Sequence, residues 1–279
     1  MPELPEVETL RRSLVDRVMG RTIVGVRPGS FPAIMGEHGI TAGTARIVGR
    51  TIVRLRRRGK YLLIDLDNET TLMVHLRMTG TLLAVSRATP PLRFEHLALE
   101  LDNGIDLRYT DQRKFGRVIP LLPADVRQLQ RRLGPEPLSR GFTAARLQSA
   151  LARRSGKLKS VLLDQLLIAG LGNIYVDEAL FRARLHPERG ARDLSETEVK
   201  RLHRAVRTVL REGLQRRGTT FSSYRDAAGE SGGNQSNLRV YGRGVNAPCL
   251  RCGRPLQRLV VGGRGTTFCP RCQPIDPSL

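Results

Sequence analysis

Four cysteines fall near the C-terminus as Cys249-Leu-Arg-Cys252 and Cys269-Pro-Arg-Cys272, with sixteen residues between the pairs and no cysteine elsewhere. Two Cys-x-x-Cys pairs at this spacing form the ligand set of a zinc ribbon, in which four thiolates close a tetrahedron and leave no open position for catalysis. The competing reading is two disulfides, which needs an oxidising compartment. The chain shows no apolar signal segment and no apolar run of membrane-spanning length, so it is expected to be soluble and not secreted. One structural Zn2+ is therefore the expected occupant. Gly253, Gly262, Gly263 and Gly265 lie between the pairs, where a two-stranded ribbon turns. Zinc here supplies folding energy to a module with little core of its own.

The sequence upstream of the ribbon has a different character. In the opening MPELPEVETL, Pro5 suits the first position of a helix, and Glu6 and Glu8 face the positive end of its dipole. Val7, Leu10, Leu14 and Val18 recur at helical spacing, and Gly20 ends the element. Short β-branched or apolar runs follow: Thr22 to Val26, Ile52 to Arg56, Tyr61 to Leu66, Thr71 to Leu76 and Thr81 to Val85. Leu97 to Asp111 alternates on both sides of Asn103-Gly104, a hairpin signal. Strands this close together predict a sandwich or barrel with the first helix beside it. Pro120, Pro123, Pro135 and Pro137 mark a connecting region. Helices are then predicted over Thr143 to Arg153, Leu158 to Ile168, Ile174 to Arg184 and Ser195 to Arg217. The Gly/Ser/Asn-rich run GTTFSSYRDAAGESGGNQSNLR reads as a mobile loop before the ribbon. The class is α+β: a β domain, a helical domain, a loop and a zinc ribbon.

Charge indicates the partner. The 279 residues carry 47 Lys and Arg against 26 Asp and Glu, a formal net charge of +21. An excess of this size is an electrostatic footprint for a polyanion, and nucleic acid is the expected one. Almost all the cations are arginine, so the lysine in RRRGKYLL stands out: Lys60 is a point charge with a tunable pKa, placed after a glycine turn. His75 and Met78 lie in MVHLRMTG near a strand end, where a satisfied histidine and a core methionine are the ordinary readings. DQRKFG, Asp111 to Gly116, mixes cations with an aromatic able to wedge between bases. The turn IAGLGNIY offers backbone N–H groups at a helix start, a ready phosphate site. Pro2 has no helical role. With Met1 removed it becomes a free secondary amine, and an α-amino group titrating at roughly 7.7 to 8 is partly neutral near pH 7.

Taken in order, MPELPEVET, GKYLL, HLRMTG, TDQRKFG, GLGNIY, VYGRG and the Cys-x-x-Cys pairs resemble the formamidopyrimidine-DNA glycosylases (Fpg/MutM) of the Fpg/Nei family, over nearly the whole chain. The endonuclease VIII branch also begins with Met-Pro-Glu, but the LPEVET continuation and the long loop after Thr220 are similar to the Fpg branch. The resemblance implies an N-terminal catalytic β-sandwich domain with flanking helices over 2–133, a helix-two-turn-helix DNA-binding domain with a lesion loop over 134–238, and a zinc finger over 239–273. It implies a bacterial, cytoplasmic, monomeric base-excision-repair enzyme that removes oxidised purines from double-stranded DNA and cleaves the strand.

Roles attach to this chain residue by residue. Pro2 matches the nucleophile that attacks C1′ and forms the Schiff base. Glu3 matches the acid that opens the sugar, and Lys60 the lysine that contacts phosphate and assists elimination. Met78, Arg113 and Phe115 match the trio filling the gap left by the flipped nucleotide. Asn173 and Arg264 match residues that pinch phosphates, Arg264 also the donor for the second elimination. His96 and Arg154 match further DNA contacts, and His75 is carried with them. The usual Asp-Pro-Arg-Arg-Phe-Gly reads DQRKFG here, and Arg154 stands where lysine is common.

Other readings fit less of the chain. His186-Pro-Glu188 and Pro248-Cys249-x-x-Cys252 imitate the halves of a zinc deaminase, but they lie far apart and leave the second Cys pair idle. A purely DNA-binding protein gives no reason for Pro2, Glu3 and Lys60. SGKL at Ser155 to Leu158 lacks the hydroxyl and first glycine of a P-loop, and no dinucleotide motif is present, so no nucleotide cofactor is expected.

Overall fold

The structure, a computed structural model, describes residues 1–37 and 39–275. The chain divides into two compact units, one of Met1–Arg131 with Leu214–Gly233, the other of Arg132–Gly213 with Asn234 onward.

In the first unit, α1 (Leu4–Val18) starts as its sequence predicts, with Pro5 in the first turn and the Glu6 carboxylate accepting the Glu3 N–H at 2.8 Å. Eight strands follow: β1 (Thr22–Pro28), β2 (Arg50–Arg58), β3 (Tyr61–Leu66), β4 (Thr71–His75), β5 (Thr81–Ser86), β6 (Glu95–Leu101), β7 (Ile105–Thr110) and β8 (Arg117–Leu121). Their order is β5-β7-β6-β1-β2-β3-β4-β8, with every pairing antiparallel. At the centre, β1 and β2 share only Thr22↔Thr51 and Ile23↔Arg50, and bulges at Val24 and Val53 disturb the ladders on either side. Bulges bend strands, and here the sheet closes on itself as two four-stranded halves. Leu97, Leu99 and Leu107 of one half meet Leu62, Ile64, Leu72 and Val74 of the other, with Leu10 and Leu14 of α1, in one buried cluster. The expected sandwich is thus one sheet folded over.

Two helices of this unit lie where sequence pattern indicated none. They are α2 (Gly39–Ile47) and α3 (Pro123–Arg131), in which only Val126 is buried, so no apolar stripe announces it. Pro123, read as a connector, is its first residue, and Asp125 accepts the Leu122 N–H at 3.1 Å.

The run from Gly218 to Gly233, expected to be mobile, is instead tied down. Thr219 N–H donates to Glu6 Oε1 at 2.8 Å, Tyr224 Oη to the Glu6 carbonyl at 3.1 Å, and Ala227 N–H to Ser13 Oγ at 3.0 Å. The Ala227 carbonyl accepts the Ala84 N–H at 2.8 Å, pairing part of the β5 edge. Small polar residues read as flexibility from composition; here their backbone groups have specific partners.

The second unit holds α4 (Ala144–Ala152), α5 (Leu158–Leu162), α6 (Asn173–Ala183) and most of α7 (Glu196–Gln215). Ser195 and Glu198 cap α7 reciprocally. The helix predicted to reach Ile168 stops at Leu162. Asp164 Oδ1 accepts the Leu166 N–H, Gln165 Oε1 accepts the Gly170 N–H, and Gln165 Nε2 donates to the Leu171 carbonyl, so side chains satisfy the groups a continued helix would use. The resulting double turn leads into α6. The ribbon strands are β9 (Gln257–Val261) and β10 (Arg264–Phe268), and the ribbon core of Cys249, Leu256 and Cys269 is completed by Phe181 of α6 and by Val240. Among the described residues no helix is long and apolar enough to cross a membrane.

Candidate active site

The extended N-cap Glu3 leads straight into α1, and Pro2 and Glu3 lie inside the first unit. Glu3 is 2% exposed and Pro2 is buried beside it. The β2–β3 turn carries Lys60, also buried, after Gly59 at φ +56, a left-handed conformation that glycine adopts without strain. Glu8 of α1 ties the two together: Arg57 Nε lies 3.3 Å from Glu8 Oε2, and Arg57 Nη1 donates to the Gly59 carbonyl at 2.9 Å. Burial pushes the Glu8 carboxyl up, but Arg11, Arg12 and Arg57 outweigh it and hold it below the usual carboxylate range. The anchor is therefore anionic at neutral pH.

His75 pairs across the ladder with Tyr61, the residue after Lys60, its ring edge-on to the tyrosine at 4.5 Å. Burial, then the charges of Arg77 and Lys60, lower its pKa to about 3. It is neutral near pH 7, and its Nδ1 accepts the Arg77 N–H at 3.1 Å, bracing the turn that carries Met78. A neutral, buried imidazole is not a phosphate cation. His96 is also buried, and its Nε2 donates to the Asp111 carbonyl at 2.8 Å. It supports the loop that carries Arg113 and Phe115. Those two side chains point outward: Phe115 is 50% exposed, and the Arg113 guanidinium lies 4.7 Å over its ring.

In the second unit, Asn173 opens α6, and its Nδ2 donates to the Gly265 carbonyl at 3.0 Å. That carbonyl also receives Lys159 Nζ at 3.1 Å. Lys159 is fully buried, 2.6 Å from Asp177 Oδ1 and 2.7 Å from Thr266 Oγ1. Burial raises the Asp177 carboxyl to about 7, against the pull of Lys159. These contacts hold β10 on α6 and leave Arg264 exposed at the ribbon tip, beside Gly262 and Gly263. Glu178, the next α6 residue, accepts the N–H groups of Arg239, Val240 and Tyr241 at 2.8 to 3.0 Å and so fixes VYGRG. Arg154 is half-exposed and pairs with Asp164 at 3.1 Å.

The four cysteine Sγ atoms lie within 4.8 Å of one another, with Cys249 and Cys272 at 3.9 Å and Cys252 and Cys269 at 3.5 Å. A tetrahedron with Zn–S bonds of about 2.3 Å has S···S edges of about 3.8 Å, whereas a disulfide needs about 2.05 Å. The donor set fits zinc and excludes the paired-disulfide reading.

Comparison with known proteins matches three family models in sequence order: the formamidopyrimidine-DNA glycosylase N-terminal domain over residues 1–118, its H2TH domain over 133–225, and the zinc finger found in Fpg and isoleucyl-tRNA synthetase over 247–275. The formamidopyrimidine-DNA glycosylase of Herpetosiphon aurantiacus is 49% identical, covering 98% of this chain and all of the relative.

The chain belongs to the formamidopyrimidine-DNA glycosylase family.

The glycosylase of Heliobacterium modesticaldum, 50% identical over 98% of this chain and all of its own, agrees. Among solved structures, the MutM (Fpg) protein of Thermus thermophilus aligns with a TM-score of 0.88 at 45% identity, over 99% of this chain and all of that one. A complex of Lactococcus lactis Fpg with abasic-site DNA aligns at 0.91 and 36% identity, over 98% and 99%. As in the family's zinc-finger model, Cys249, Cys252, Cys269 and Cys272 form one structural zinc site. Within this formamidopyrimidine-DNA glycosylase, the structure gathers Pro2, Glu3, Lys60, His75, Met78, His96, Arg113 and Phe115 in one unit and Arg154, Asn173, Arg264 and the cysteines in the other. Lys159, Asp177 and Glu178 are supports that sequence reasoning missed. The one signal was a lysine in an apolar run of an arginine-rich chain.

Proposed function

We propose that this chain is a bifunctional glycosylase and abasic-site lyase that removes oxidised purines, 8-oxoguanine and formamidopyrimidines, from duplex DNA. The observation that carries the reading is the burial of Pro2 and Glu3 at the head of α1, in the unit that also buries Lys60. A relative supports it: a mutant of Lactococcus lactis Fpg has been solved with DNA containing Fapy-dG, and the wild type with DNA containing N7-benzyl-Fapy-dG.

The Pro2 nitrogen, freed of Met1, attacks C1′ of the damaged nucleotide. The C1′–N bond breaks and the base departs with a proton. Ring opening, with Glu3 as proton donor, gives a cationic iminium between Pro2 and C1′, which acidifies the C2′ proton. Its loss expels the 3′ phosphate, and a second elimination, with Arg264 as donor, expels the 5′ phosphate. Lys60, Asn173, Arg264 and Arg154 hold phosphates, which position the strand without reading sequence. Reaching C1′ requires flipping the nucleotide at a cost of a few kcal/mol, offset when Met78, Arg113 and Phe115 fill the vacated stack. His75 and His96 serve DNA binding through the loops they brace. In this reading the catalytic domain spans 2–133, the helix-two-turn-helix domain 134–238 and the finger 239–273, in a cytoplasmic monomer.

Borohydride trapping on a labelled duplex with 8-oxoguanine opposite cytosine tests it. A covalent adduct mapping to Pro2 is expected. Tight binding of intact DNA with no adduct would leave a binding protein without the chemistry.

A further inference from the structure

We propose that Asp111 is the positioning residue of the wedge: one buried carboxylate locks the turn carrying Met78 to the loop carrying Arg113 and Phe115, so that both enter the base stack as one body. The proposal rests on the function proposed above.

Asp111 is 1% exposed. Its Oδ1 accepts the Thr79 hydroxyl at 2.5 Å and the Arg113 N–H at 3.1 Å; its Oδ2 accepts the N–H groups of Phe115 and Gly116, each at 2.8 Å. An ionised carboxylate offers about four lone-pair positions, and these donors fill them. The chain from Arg113 to Gly116 curls around the carboxylate, with Lys114 at φ +57 to make the reversal. The Asp111 N–H donates to the Phe94 carbonyl at 3.0 Å, and its own carbonyl takes His96 Nε2, so the group is fixed from both sides.

A second contact joins the same loops. A Cβ on Gly116 would lie 1.5 Å from Tyr109 Oη, and one on Gly80 2.2 Å from it. Both loops are glycine where they close on this phenol. The exposed tips, in contrast, have little packing: Arg113 is exposed, and half of Phe115 is. Their direction is set by backbone, and the backbone is set by Asp111. Asparagine there turns an NH2 either toward Phe115 and Gly116, losing both N–H bonds, or toward Thr79 and Arg113, where the hydroxyl can accept it but the Arg113 N–H bond is lost. The only side chain that links the Met78 turn to the carboxylate is Thr79, among the described residues.

The test compares wild type, Asp111→Asn, Thr79→Val and Thr79→Ser on two substrates. One is a duplex with 8-oxoguanine opposite cytosine; the other is a single strand with a preformed abasic site, which needs no extrusion from a stack. Asp111→Asn and Thr79→Val are expected to slow lesion excision about tenfold or more while changing single-strand cleavage by less than about twofold. Thr79→Ser, which keeps the hydroxyl, is expected to restore the duplex rate. Thr79→Val removes the bond to Asp111 and the longer one from the Arg113 N–H to Thr79 Oγ1 at 3.3 Å, leaves the other Asp111 bonds in place, and guards against a variant that merely unfolds. Equal loss on both substrates, or a duplex rate in Thr79→Val like wild type, overturns the proposal. A wild type that cleaves and traps neither substrate overturns the proposed function and this inference with it.

Discussion

A proline nitrogen within a peptide bond has its lone pair delocalised into the carbonyl and is not a nucleophile. The chemistry assigned to Pro2 therefore depends on removal of Met1. Protein shown by mass spectrometry to retain Met1 is expected to form no borohydride adduct, and Pro2→Gly to lower lyase activity. Glu3→Gln is expected to cost roughly 10² to 10⁴ in excision rate, the usual range for a general acid, measured by single-turnover kinetics. His75 gives a pH prediction. Its native pKa is about 3 against 6.5 unperturbed, so the unfolded chain binds the proton first as pH falls. Stability from this residue is complete above the unfolded value and is lost on acidification toward the native one, with a slope approaching about 1.4 kcal/mol per pH unit. Denaturant melts of His75→Gln between those limits should show a shallower acid dependence than wild type; an equal slope would refute it.

Elements in this chain are held by charges that are buried where pattern reading expects solvated ones. Asp106 and Arg108 of β7 are both buried, and Asp106 is paired with Arg27, Arg87 and Arg108. Strand alternation was visible in this sequence and puts Asp106 and Arg108 on the face opposite Leu107 and Tyr109; it did not show that this second face is covered and holds a buried ion cluster. Lys159 and Asp177 make the same point for the β9–β10 hairpin. Removing one partner of a buried pair leaves the other uncompensated, so Lys159→Met is expected to cost about 3 to 5 kcal/mol, and Lys159→Met with Asp177→Leu to recover most of it. Amide exchange at Gly265 and Thr266 should quicken in the single variant, which melting alone would not localise. Unchanged exchange would mean the ion pair does not hold the hairpin. The truncated α5 and the anchored Gly218–Gly233 run were illegible for a related reason: Gln165 and Glu6 satisfy backbone groups there, and composition does not say which carbonyl or N–H a side chain will reach.

At the scale of the whole molecule, the net charge of +21 predicts salt-sensitive DNA binding. Four phosphate contacts correspond to a log–log slope of roughly −3.6 on duplex DNA, and a flat response would remove the electrostatic basis of the interface. Zinc removal should act through folding. Chelation, or Cys269→Ser, is expected to release metal, loosen the ribbon that presents Arg264 and weaken DNA affinity. Normal metal content and affinity in that variant would separate the ribbon from binding.

The parts legible from sequence alone were those written in short covalent spacings: the Cys-x-x-Cys pairs, the Asn103-Gly104 hairpin, the start of α1 at Pro5 and the Ser195 cap of α7. Their chemistry is set by neighbours along the chain, so no fold is needed to read them. Tertiary structure decided which polar groups are buried and what they meet. Glu6 reaches Thr219, 213 residues away, and Thr79 reaches Asp111 across 32. Lys159 reaches Thr266 across 107. His75 and His96 are buried against the backbone of the loops that carry Met78, Arg113 and Phe115, and burial, unlike spacing, is a property only the packed chain has.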